Sequence, residues 1–128
     1  MIAPTPLLAA IFDMDGTLVD NMHYHPVAWV AFSRRLGTDA TAERVEGEFA
    51  GKKNEEILPI LLGRPVAPAE LNQLAEEKET HYRKLYAPHL SLMPGAEAFI
   101  ARLRSAGVRL AIATSAPLDN RTMVLDGL

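Results

Sequence analysis

The stretch Ala9–Asp20, AAIFDMDGTLVD, decides how the chain is read. An apolar run from Leu7 to Phe12 ends abruptly at Asp13 and Asp15, followed by Gly16, Thr17 and a further acid at Asp20. A run of about six apolar residues closed by a turn signal fits a strand buried on both faces, although periodicity alone also admits a helix. Buried parallel strands present ligands at their carboxyl ends, where the loops begin. Two carboxylates at that end stand where open α/β sheets do their chemistry. In extended backbone Asp13 and Asp15, two apart, point the same way. Like charges that close are costly unless neutralised, and a divalent cation such as Mg²⁺ would neutralise them. Gly16 permits a turn that a side chain would obstruct.

The whole chain sets bounds on this reading. Its 128 residues suffice for one ordinary domain, or for a small core plus an insertion. Hydrophobic residues at 48% with 23% charged are globular rather than disordered. A net charge of −3 gives no support for nucleic-acid or anionic-membrane binding. The absence of cysteine excludes disulfides and thiolate metal sites. The start MIAPTPLLAAIF has no basic n-region, and its apolar run is too short to span a bilayer, so a cytoplasmic protein is expected. Asn120-Arg121-Thr122 matches a glycosylation acceptor but is read as idle without a signal peptide.

Met1–Pro6 is a loose lead-in with two prolines. After the motif, Trp29, Phe32, Ser33 and Leu36 share one helical face closed by Gly37, and Pro26 places the start of that helix near itself. Thr41 caps a short helix through Phe49. Asn54 is expected to cap a third helix carrying Ile57, Leu58, Leu61 and Leu62, with Pro59 close to its start. Pro68–Tyr86 is the longest helix, with Leu71, Leu74, Ala75, Tyr82, Leu85 and Tyr86 at helical spacing. Glu76, Glu77, Lys78 and Glu79 are assigned to its solvated face. Met93-Pro94-Gly95 opens a helix with Ala96, Phe99, Ile100 and Leu103 on one stripe, stopped by Gly107. Val108–Ala113 reads as a second buried strand, with Thr114-Ser115 at its carboxyl end and a further helix over Pro117–Leu125. This order of elements is a βαβα core carrying a helical insertion. A hydroxyl and backbone N–H groups at a strand end, just before a helix, make a natural phosphate cradle. Taken alone, Thr114-Ser115 reads better as a cap of that helix; with the acidic motif one strand away, the phosphate reading prevails.

The string Asp13-Met14-Asp15-Gly16-Thr17-Leu18 resembles the first motif of the haloacid dehalogenase-like (HAD) superfamily of phosphatases and phosphomutases. The order of the elements after it is similar to that of the β-phosphoglucomutase-like branch, in which a helical cap is inserted just after this motif. Leu92–Gly95 and Ile112–Ser115 resemble the family at corresponding places, so the resemblance runs from Ile11 to Leu128. It implies an α/β fold, a Rossmann-type core with a partial parallel sheet (residues 1–20 and 90–128), and an α-helical cap over 21–89. It also implies Mg²⁺-dependent phosphoryl transfer on a small phosphorylated metabolite. Asp13 would attack phosphorus and form an aspartyl-phosphate. Asp15 would protonate the leaving oxygen and then deprotonate the incoming water or sugar hydroxyl. Mg²⁺ would be held by the Asp13 carboxylate and the Asp15 backbone carbonyl, and Thr114 would hydrogen-bond the transferring phosphoryl group. The second acid argues against a true dehalogenase, since displacing halide needs no protonated leaving group.

Other candidates are weaker. Gly47–Lys53 suggests a P-loop, but its glycine spacing is one short and no Ser or Thr follows the lysine. By resemblance, Gly51-Lys52-Lys53-Asn54 falls where the cap loop reaches over the substrate. Sugar phosphomutases carry a lysine just before that glycine and an arginine three residues after it; Ala50 and Asn54 stand there. A neutral amide cannot clamp a distant phosphate as a guanidinium does, so hydrolysis is expected to exceed mutase activity. Lys52 or Lys53 could substitute, and a solvated basic loop is an equal alternative. His25 matches the family's cap-hinge histidine, and a plain helix-start histidine explains it as well. His23, His81 and His89 show no metal spacing. The family's later lysine and acidic pair belong beyond Leu128. The chain therefore reads either as a piece of a protein roughly twice as long, or as a short, catalytically silent relative that keeps a binding half-site. In either case an unpaired flank on the Leu7–Phe12 strand is expected to drive self-association or domain swapping.

Overall fold

The computed structural model describes residues 6–128, so most of the Met1–Pro6 lead-in lies outside the described residues. The chain divides into two units, one of the residues up to Asn21 together with Leu90–Leu128, the other Met22–His89.

In the first unit, strands β1 (Ala9–Phe12) and β2 (Arg109–Ile112) pair in parallel, with Ala9 opposite Arg109 and Phe12 opposite Ile112. Helix α5 (Ala96–Ser105) lies between them in sequence, opening after Gly95 at φ +83° and ending before Gly107 at φ +75°. Both are left-handed conformations that glycine adopts without a Cβ clash. Phe99 of α5 meets Phe12 of β1 edge to face, ring centroids 6.2 Å apart. Helix α6 (Leu118–Gly127) follows β2 and buries Asn120 and Val124. The strands are not buried on both faces, which corrects the sequence reading: Ile11 is 72% exposed and Ile112 41%. Among the described residues β1 has one neighbouring strand, β2, so its other flank has no partner. A parallel strand is buried only when strands flank it and helices cover both faces.

In the second unit, α1 (Tyr24–Arg35) buries Ala28, Trp29, Phe32 and Ser33. It begins two residues before Pro26, earlier than the sequence suggested. Pro26 falls in the first turn, whose N–H groups have no intrahelical acceptor, so its missing donor costs nothing there. Thr41 caps the short α2 (Ala42–Arg44), accepting the Arg44 N–H at 3.2 Å, and the chain continues as a π-helical turn over Val45–Phe49. Helix α3 spans Asn54–Leu62 and ends in a Schellman motif at Gly63, where Arg64 N–H donates to the Pro59 carbonyl at 3.3 Å. Pro59 is not near the start of α3 but sixth of its nine residues. The Glu55 carbonyl thereby loses a helical donor, and because Glu55 is exposed, water can satisfy it. Helix α4 (Pro68–Tyr86) opens on proline, as helices commonly do. The core joins Trp29, Phe32, Val45, Phe49, Ile57, Leu58 and Leu61, with Leu71 and Leu74 of α4 packed against it.

Candidate active site

Asp13 follows the last residue of β1, and the pairing of the strands continues one step further, with Ala113 N–H donating to the Phe12 carbonyl at 2.8 Å. Asp13 and Thr114 therefore leave the same carboxyl edge of two adjacent strands. Beyond Asp13 the backbone turns rather than running on extended, so the same-side argument for Asp13 and Asp15 is replaced by a different geometry. Met14 is buried, and its carbonyl accepts the N–H groups of Thr17, Leu18 and Val19 at 3.3, 2.9 and 3.2 Å. Gly16, at φ +67°, makes that tight turn possible. Val19 is fully buried and bridges to Leu92, with Met93 N–H donating to the Leu18 carbonyl at 2.8 Å. The motif loop is thus laid against the segment that leads into α5.

The two acids differ in surroundings. Asp13 is exposed, with Oδ1 accepting the Met14 N–H at 2.7 Å. Asp15 is half-buried, and its Oδ1 accepts Asn21 Nδ2 at 2.7 Å. Asn21, wholly buried, turns its Oδ1 to the Gly16 N–H at 3.0 Å. One amide therefore fixes both the second acid and the glycine turn, a role the sequence reading missed. The available signal was weak: a polar residue two positions after the buried Leu18-Val19 pair. Thr114 Oγ1 accepts the Ala116 N–H at 3.1 Å, and α6 begins after Pro117 with no side-chain cap. Thr114 thus forms a local turn instead of capping that helix, and its hydroxyl proton is left to donate. Ser115 is exposed. An apolar groove of about 350 Å³, lined by Phe12, Thr17, Leu18, Met93, Pro94 and Phe99 among others, borders the loop but offers no charge to an anion.

His25, Gly51, Lys52 and Asn54 belong to the helical unit. Gly51 is exposed at φ +73°, and Lys52 folds back so that Nζ donates to the Glu48 carbonyl at 2.6 Å. Asn54 does not cap α3; it is the first helical residue, with Lys53 as N-cap and the Glu56 carboxylate accepting the Lys53 N–H at 2.9 Å. The Asn54 amide instead donates to Glu79 Oε1 at 2.8 Å. Glu79 and Lys78 are buried and ion-paired at 2.9 Å, which corrects their assignment to a solvated face. The signal lay in the spacing: the stripe of Leu71, Ala75, Tyr82 and Tyr86 passes through positions 78 and 79. His25 stacks on Tyr82 with ring centroids 4.2 Å apart. Burial, then the Lys78 cation, lower its pKa to about 4 against an opposing pull from Glu79, so the imidazole is neutral at pH 7.

The haloacid dehalogenase-like hydrolase family matches residues 7–128, almost the whole chain. The chain belongs to the haloacid dehalogenase-like hydrolases. A phosphoglycolate phosphatase from Rhodospirillum rubrum is 30% identical over 138 residues, covering 94% of this chain and 53% of that protein. The structure of a HAD hydrolase from Entamoeba histolytica superposes with a TM-score of 0.87 at 24% identity, covering 94% of this chain and 55% of that one, a likeness of fold. CbbY from Rhodobacter sphaeroides, solved with xylulose 1,5-bisphosphate, gives a TM-score of 0.77 at 26% identity over 95% of this chain and 57% of that one. The chain thus spans about half the length of the relatives it matches. No described helix is long and apolar enough to cross a membrane.

The donor set of this HAD chain suits a hard cation in part. Among the described residues no group of three or more acidic, imidazole or thiol side chains converges. The Asp13 carboxylate and the Asp15 backbone carbonyl are oxygen donors of the kind Mg²⁺ takes, since that ion usually keeps several waters and uses one or two carboxylates plus substrate oxygens.

Proposed function

We propose that the chain carries the nucleophile half of a phosphohydrolase acting on small phosphorylated metabolites. One observation carries this reading: Asp13 and Thr114 leave the same edge of two registered parallel strands, with Asp15 clamped by Asn21 on the intervening turn. An Asp13 oxygen attacks phosphorus in line, the bond from phosphorus to the leaving oxygen breaks, and Asp15 delivers a proton to that oxygen. Asp15 then takes a proton from water, whose oxygen displaces the Asp13 carboxylate and releases inorganic phosphate. The Thr114 hydroxyl donates to a phosphoryl oxygen throughout. Mg²⁺ bound by Asp13 and the Asp15 carbonyl would offset charge on the phosphoryl oxygens. Phosphoglycolate and sugar bisphosphates, named with the relatives, mark the substrate class. The Asn54 amide, already committed to Glu79, favours hydrolysis over sugar-phosphate isomerisation.

Asp13→Asn in the intact enzyme is expected to lower phosphate release from a panel of sugar and carboxylic-acid phosphates at least about 1,000-fold. Phosphorus NMR of a hexose 1-phosphate reaction is expected to show free phosphate in excess of the 6-phosphate isomer. Turnover retained by Asp13→Asn sinks the nucleophile assignment, and predominant isomer formation sinks the hydrolase reading.

A further inference from the structure

The helical unit buries two neighbouring charges of opposite sign. Lys78 and Glu79 are 2% and 5% exposed. Taking an ion pair out of water costs several kcal/mol per ion, and well-packed apolar residues in its place are often neutral or stabilising. Its value therefore lies in what its geometry holds. The Lys78 ammonium sits 5.0 Å from the Trp29 ring centroid and 5.5 Å from that of Tyr82, contacts that recover part of the lost hydration. The same Glu79 oxygen that receives Lys78 also receives Asn54, across 25 residues of sequence.

Asn54 directly follows the exposed Gly51-Lys52-Lys53 segment. That segment is tied to its sequence neighbours by Lys52 N–H to the Phe49 carbonyl at 3.0 Å, by Lys52 Nζ to Glu48, and by Lys53 N–H to Glu56. Those bonds shape the turn, and the Asn54–Glu79 bond joins it to α4. A hydrogen bond to a charged acceptor is short and strong, and a buried one fixes position better than an exposed one. We propose that Glu79 is a positioning residue for the substrate loop: through Asn54 it anchors Gly51–Lys53 on α4, with Lys78 holding the carboxylate in place. The proposal deepens the phosphohydrolase reading and rests on it, because that loop is the part taken to reach the substrate.

Glu79→Leu would take a carboxylate partner from the buried Lys78 ammonium and risk unfolding the unit. Asn54→Ala opens the clasp from its half-buried, uncharged side. In the 128-residue chain, amide hydrogen exchange of Lys52–Ile57 is expected to rise about tenfold in Asn54→Ala, with exchange in α1 and the second half of α4 unchanged. In the intact enzyme the same variant is expected to raise KM about tenfold for whichever phosphate ester is hydrolysed, with kcat within about twofold. Unchanged loop exchange overturns the clasp. A faster-exchanging loop with unchanged KM overturns its role in substrate positioning. An enzyme that hydrolyses no ester sinks the phosphohydrolase reading, while the exchange measurement still decides the clasp.

Discussion

Phe32, Leu58 and Tyr86 of the helical unit are at most 1% exposed, whereas Leu8, Ile11 and Leu118 of the α/β unit are 65%, 72% and 65% exposed. The residue types are of one class, and their fates are opposite. A helix needs one covered stripe, and successive helices joined by short turns cover one another: the α1 and α3 stripes meet the face of α4 within 68 residues. A parallel strand needs two flanks and two faces covered, by elements that lie far apart in sequence. Among the described residues β1 has one flank covered, by β2. Hydrophobicity marks what is suited to burial; topology decides what is buried.

The largest expected effect sets core against edge. Leu58→Ala should cost about 3 kcal/mol, the usual scale for truncating a fully buried leucine, while Ile11→Ala should cost under about 1 kcal/mol because little further surface is lost to water. Urea unfolding of both variants, followed by circular dichroism, checks this; equal losses would break the comparison.

A second test confines itself to the helical unit. His25 has a folded pKa of about 4 against a reference near 6.5. The unfolded chain therefore binds more protons between those values, and stability is lost as pH falls from about 6.5 towards 4. Lys78 and Glu79 are the charged groups that act on the ring, and His25→Gln should flatten this acid limb by on the order of 2 kcal/mol. An unaltered limb would mean that the ring titrates normally.

The smallest effect concerns the open flank. An apolar strand edge pairs readily with another chain, and a lysine there discourages it. We expect the 128-residue chain to self-associate in sedimentation at roughly 100 μM and Ile11→Lys to shift it towards monomer, with little change in unfolding free energy. A monomeric parent at that concentration would show that the exposed face of β1 is tolerated without a partner.

Features governed by near neighbours are legible in the amino-acid sequence itself. Helix α4 runs over Pro68–Tyr86 as its spacing and opening proline indicate, and Gly95 and Gly107 bracket α5. Thr41 caps the turn after it, and the acidic motif leaves the carboxyl end of a strand. These features depend on contacts within about four residues, so composition and spacing place them, although the cap of α3 falls at Lys53 and not at the expected Asn54.

Tertiary structure alone decided the rest. It turned the chain at the buried Met14, so that Asn21 rather than strand alternation orients Asp15. It gave Lys78 and Glu79, which spacing places on the apolar stripe, their partners: Asn54 for the carboxylate and the rings of Trp29 and Tyr82 for the ammonium. It left Ile11 in the open. Each of these outcomes depends on which distant group lies opposite, and a charged side chain on an apolar stripe or an apolar one on a strand has no local term that specifies its partner.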